Sequence, residues 1–208
     1  AFWNPDIRNY EDLRTRRTIL GGTGPGASST LEARALAQLL GLKFDIVLGY
    51  PNLIDIRHPA ERGEVDGFCG LLVSSMGPSA RGDIAAGKFR IVLQTGLHAH
   101  RELGDLVPLA IDLAPDREAR DILSLAFGPW EFGKALAASP ATTPDRLVIL
   151  RQAFKAVVED DEFLAAAARA GIEINAVDDR EIAMLLESFY ATPDATLSRA
   201  RKILAAPE

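Results

Sequence analysis

Apolar positions in the first hundred residues come in short runs, and the runs stop at glycine. Residues 17–22 (RTILGG) read as a strand entering a glycine turn, and 43–50 (KFDIVLGY) as a second strand. Residues 65–72 predict a third, and 89–97 (FRIVLQTGL) the most apolar of the set. Between them the spacing becomes helical. Residues 28–40 place Leu31, Ala35 and Leu39 on one face, with Leu36 and Leu40 beside it. Ser28 or Ser29 can cap that helix, and Gly41 ends it. Residues 52–62 predict a helix bent near Pro59, and a shorter helical piece follows Pro78. Strands alternating with helices imply an α/β fold with a mainly parallel sheet flanked by helices.

The texture changes after about residue 115. Residues 116–127, 143–158, 161–170, 178–190 and 193–205 carry helical apolar spacing with short links. Thr143 as cap, Pro144 in first position and Asp145 beside the positive end mark one clear start. Residues 133–139 and 172–177 are expected to add short strands. There is no internal repeat.

Composition narrows the picture. The chain has 208 residues, 48% of them hydrophobic, enough for a sizeable core. A net charge of −6 argues against nucleic acid and anionic membrane surfaces, which need a basic footprint. It leaves room for a local anion site. No apolar run approaches the length of a membrane span, so direct membrane insertion is not expected. Cys69, the one cysteine, permits no intrachain disulfide and reads as a small buried hydrophobe.

The candidate chemistry lies in two turns. Gly21 to Ser29 (GGTGPGASS) joins a strand to a helix start, where unpaired N–H groups and the helix dipole favour an anion. Gly24 and Gly26 allow close backbone approach, and Ser28 and Ser29 add hydroxyls. Gly49-Tyr50-Pro51-Asn52 is again a strand end leading into a helix start. Two such turns from neighbouring parallel strands share the carboxyl edge of the sheet, where ligands of open α/β folds bind. Gly22 to Ala27 also fits G-x-G-x-x-A, with Asp45 placed 21 residues after Gly24, so an NAD(P)-dependent oxidoreductase is the alternative. Against it, Pro25 intrudes on the turn and Asp45 falls early in its strand. A plain strand-to-helix turn also fits.

In order along the chain, Tyr10-Glu11-Asp12-Leu13, Thr23-Gly24-Pro25-Gly26-Ala27-Ser28, Gly49-Tyr50-Pro51 and Glu61-Arg62-Gly63-Glu64-Val65-Asp66-Gly67 resemble segments of one family. So do Val92-Leu93-Gln94-Thr95-Gly96, Leu103 to Pro108, Pro144-Asp145-Arg146 with Leu150 to Phe154, Asp161 to Leu164 and Tyr190 to Pro193. The family is that of the extracytoplasmic substrate-binding proteins of tripartite tricarboxylate transporters, the Bug family. The resemblance implies a periplasmic-binding-protein type fold of two lobes about a cleft. Residues 8–108 would form the second lobe, and residues 109–208 a C-terminal helical region belonging to or packing on a first lobe that lacks its opening stretch. It implies a periplasmic, non-enzymatic receptor without cofactor. That receptor captures a small carboxylate for membrane permease subunits. The substrate-binding residues carried over are Thr23, Gly24, Gly26, Ala27, Ser28, Tyr50, Pro51 and Asn52. Asn52 stands where the family often has Gly, and Gly133-Lys134-Ala135 where it has Gly-Arg-Pro. A lobe face left open would favour pairing of chains into a homo-oligomer.

Other constellations read as ordinary structure. His98-Ala99-His100 offers too few ligands for a zinc site and reads as exposed loop. Glu61, Glu64 and Asp66 read as a solvated edge, and Trp3 and Trp130 as core or interlobe packing. No G-x-S-x-G elbow is present for nucleophilic chemistry.

Overall fold

The structure, a computed structural model, describes residues 1–133 and 135–205. Lys134 of the Gly133-Lys134-Ala135 segment lies outside the described residues. The chain mixes many helices with a small parallel sheet. A short helix α1 (Tyr10–Thr15) starts in a capping box formed by Asn9 and Asp12 and leads into β1 (Thr18–Gly22). After α2 (Ser28–Leu40) the chain returns as β2 (Phe44–Leu48), parallel to β1 in a register from Thr18–Phe44 to Gly22–Leu48. Gly41 closes α2 in the left-handed conformation.

Beyond β1 the sheet continues only as single bridges. Leu20 pairs in parallel with Gly67, and Phe2 pairs antiparallel with both Gly67 and Arg90. The lateral order is therefore β2, β1, the Gly67 segment, the Phe2 segment and the Arg90 segment. The expected strands at 65–72 and 89–97 do not form as continuous strands, and the hydrogen bonds give the reason. The Ile19 N–H is taken by the Asp66 carboxylate at 2.6 Å rather than by a carbonyl. Residues 89–97 pair with Phe2 at Arg90, then change partner, Gln94 N–H donating to the Pro108 carbonyl at 2.9 Å. Neither segment keeps one neighbour long enough for a ladder.

The 52–62 helix also arrives in pieces, a 3₁₀ turn at Ile54–Ile56 followed by α3 (Arg57–Glu61). The next helix, α4 (Pro78–Ala85), begins on Pro78 as expected. The expected strands at 133–139 and 172–177 are absent among the described residues, where these links have no strand to pair with.

Helix α5 (Arg117–Phe127), capped by Asp116, buries Ala119, Ile122, Leu123 and Phe127. It packs on α2, and the last helix, α9 (Asp194–Leu204), packs on both. Leu13, Leu20, Leu36, Ile111 and Ile122 belong to this shared core, together with Ala200 of α9. A second cluster holds Ile56, Ala60, Val65 and Phe68, with Trp3 and Tyr50 against it. Trp3 stacks on Phe68 and Phe89, with centroids 5.5 and 4.6 Å away.

Three further helices stand apart from this core. Helix α6 (Pro144–Val158) has no buried residue and touches α7 (Asp161–Arg169). Helix α8 (Asp179–Tyr190) reaches the 128–132 turn, where Phe189 meets Phe132 edge-on at 6.4 Å. No described helix is long and apolar enough to cross a membrane.

Candidate functional site

The two glycine turns lie side by side. Gly22 and Leu48 are paired at the ends of β1 and β2, and the Tyr50 N–H donates to the Gly22 carbonyl at 3.3 Å. This approach depends on glycine: a Cβ on Gly21 would sit 2.4 Å from Ile56 Cγ2 and 3.2 Å from the Tyr50 ring. Thr23, Gly24, Gly26, Ala27 and Ser28 thus share one sheet edge with Tyr50, Pro51 and Asn52.

Helix α2 opens directly above this edge. Its N-cap is Ala27, not Ser28 or Ser29, and no side chain caps it. Ser28 therefore becomes the first helical residue. The N–H groups of Ser28 and Ser29 make no hydrogen bond within the described residues. No acidic residue lies in the first turn. By contrast α5, α7 and α8 are capped by Asp116, Asp160 and Asp178. The open end of α2 keeps its positive dipole unneutralised. Arg34, one turn further along, steadies the loop by donating to the Pro25 carbonyl at 2.7 Å.

The second turn divides its residues between packing and capping. Tyr50 is half-buried against the Ile56 cluster. Asn52 turns back on its own segment, its Oδ1 accepting from Asp55 N–H at 3.0 Å and its Nδ2 donating to the Asp55 carboxylate at 2.7 Å. Pro51 is exposed.

The segment after the Gly67 bridge adjoins this edge. Gly70 has φ +87°, open to glycine, and a Cβ there would lie 3.0 Å from the Ser29 Cβ. Gly70 separates the first turn of α2 from a cavity of about 220 Å³. Glu32, Gly70, Ser74, Thr95, His98 and Trp130 line it. The eight residues expected to bind ligand do not line this cavity.

Glu32 was not singled out from the sequence. It is only 1% exposed. Its carboxyl accepts from Trp130 Nε1 and, at 3.1 Å, from Thr95 Oγ1. Burial pushes its pKa up, and the two hydrogen bonds only partly offset that. The detectable signal was positional: Glu32 falls three residues after Ser29 and four before Leu36, on the buried arc of α2. Burial also pushes the Cys69 thiol up to about 12, which favours its protonated form.

The two histidines of the His98-Ala99-His100 segment differ in exposure. His98 is exposed, but His100 is half-buried and 3.2 Å from Glu173, which also meets Arg101 at 3.0 Å. Asp66 is not a solvated edge group but a partner of Ile19 and of Asn4 Nδ2 at 2.6 Å. Among the described residues no group of three or more His, Cys, Asp or Glu side chains is placed to hold a metal ion.

No protein-family model matches the sequence, and no curated protein is similar to it. The fold does have a solved counterpart. The chain is similar to the structure described as R. palustris Rpa4515 with adipate, with a TM-score of 0.55 and 14% identity. The match takes in 100% of this chain and 64% of that one, so the chain spans less than two thirds of its counterpart's length. At that identity the likeness is one of fold.

Proposed function

We propose that this chain is part of an extracytoplasmic solute-binding protein that captures a small carboxylate in the periplasm for the permease of a tripartite tricarboxylate-type transporter. One observation carries the proposal. The open N-terminus of α2 stands above two adjoining glycine turns on the carboxyl edge of the sheet, with the Ser28 and Ser29 N–H groups free to donate. That arrangement suits a carboxylate. The similarity in fold to a protein holding adipate agrees with it. The order of motifs described above supplies the transport setting, and the role is capture rather than catalysis.

Asp45 does not suit a dinucleotide. It stands near the start of β2 opposite Ile19, away from the carboxyl edge, and pairs with Arg17. A ribose-binding acid belongs at the other end of that strand.

A helix terminus contributes about 0.3–1 kcal/mol, far from tight binding. The rest of the affinity must come from surfaces that face this edge in a longer protein. Isothermal titration of the chain with four- to six-carbon dicarboxylates, citrate, NAD and NADP tests the proposal. The expected result is binding of a carboxylate with a Kd weaker than about 1 μM. Binding of NAD or NADP alone would overturn it.

A further inference from the structure

We infer that the cavity beside α2 takes the hydrogen-bond-donating end of the solute, an ammonium or hydroxyl group, with Glu32 as its acceptor. The inference rests on the carboxyl edge being a solute site and names which solutes it prefers: small carboxylates carrying a donor at the far end, not symmetrical dicarboxylates.

Glu32 is a buried carboxyl whose two hydrogen-bond partners are neutral, the Ala1 amino group being a nearby charge. Trp130 Nε1 and Thr95 Oγ1 occupy one position on each oxygen, leaving further acceptor capacity on both. No Lys or Arg forms an ion pair with it among the described residues. The Ala1 amino group, also at the cavity wall, donates to the Phe68 carbonyl at 2.8 Å. A buried carboxylate is costly unless paired, so a donor entering this cavity meets an acceptor that lacks a charged hydrogen-bond partner. A second carboxylate entering there would face Glu32, with Glu131 also on the wall.

The position fits a short two-ended molecule. Ser29 and Glu32 are neighbours on one face of α2, one at the open N-terminus and the other in the cavity. Gly70 lines the cavity beside Glu32 and packs against Ser29, so the two positions adjoin through it. A cavity of about 220 Å³ exceeds the engineered space of about 150 Å³ that holds benzene.

Three matched probes of six carbons test this by isothermal titration: 6-aminohexanoate, hexanoate and adipate. The expected order has 6-aminohexanoate binding about tenfold or more tighter than the other two. In Glu32→Gln, which keeps the size and the Trp130 and Thr95 contacts, that preference should fall to within about twofold. Equal binding of the three, tighter adipate, or a preference that survives in Glu32→Gln would overturn the inference while leaving carboxylate capture intact. Binding of none of them, nor of any carboxylate in the wider panel, would overturn both. Selectivity of the wild-type chain alone decides the matter if the variant does not fold.

Discussion

Helices α5 and α6 have similar apolar content and opposite fates. In α5, Ile122, Leu123 and Phe127 are fully buried against α2 and α9. In α6, Ile149 is 63% exposed and Val148, Leu150 and Val157 are close to half exposed. Both helices follow from the same periodic spacing. The difference shows that periodicity specifies a helix and its apolar face, while burial depends on what the rest of the chain puts opposite that face. Helices α2, α5 and α9 pack together in the core, whereas α6 touches α7, α8 reaches the 128–132 turn, and Glu173 after α7 meets His100 and Arg101.

Paired substitutions give the largest break in this comparison. Ile122→Ala should cost about 2–5 kcal/mol in urea unfolding, because it opens a cavity in the shared core. Ile149→Ala should stay within about 0.5 kcal/mol. Equal losses would mean that α6 is covered by another surface in solution, such as a second copy of the chain. A smaller effect is expected at the junction of the two turns and the cavity. Gly70→Ala places a side chain at φ +87° against Ser29 and should cost about 1–3 kcal/mol.

The next effect is a slope. Burial raises the Glu32 pKa in the folded chain above its ordinary 4.5. The folded state then holds a proton that the unfolded chain has released. The Glu32 contribution is therefore fully present below about pH 4.5 and is lost as pH rises through the folded value. Melting temperatures of wild type and Glu32→Gln across pH 4–8 should converge at the acid end, with wild type falling below the variant as pH rises. Parallel curves would mean that Glu32 does not feel its burial. The smallest effect belongs to Asp45. It is exposed and paired with Arg17, so Asp45→Ala should leave both the melting temperature and carboxylate binding unchanged.

Much of the fold was legible in the residues. Residues 28–40 form the helix their spacing predicts, and the helices after residue 115 fall within a residue or so of their expected bounds. These depend on local spacing and caps, which sequence displays. The interrupted strands did not show, because their fate turns on distant partners: Asp66 reaching Ile19, and Phe2 inserting between Gly67 and Arg90. At the site, the glycine turns were visible and the structure sets them side by side. Glu32 was not among the expected site residues. Its place on the buried arc of α2 was the one local signal, while the hydrogen bonds that accompany its burial come from Thr95 and Trp130, 63 and 98 residues away.

The most direct test of carboxylate capture by α2 is a ¹⁵N amide titration of the chain with the tighter-binding of 6-aminohexanoate and adipate. The Ser28 and Ser29 amides, with Gly24 and Gly26 beside them, should shift most and saturate together. Saturable shifts confined to α6–α8, with Ser28 and Ser29 unmoved, would contradict it.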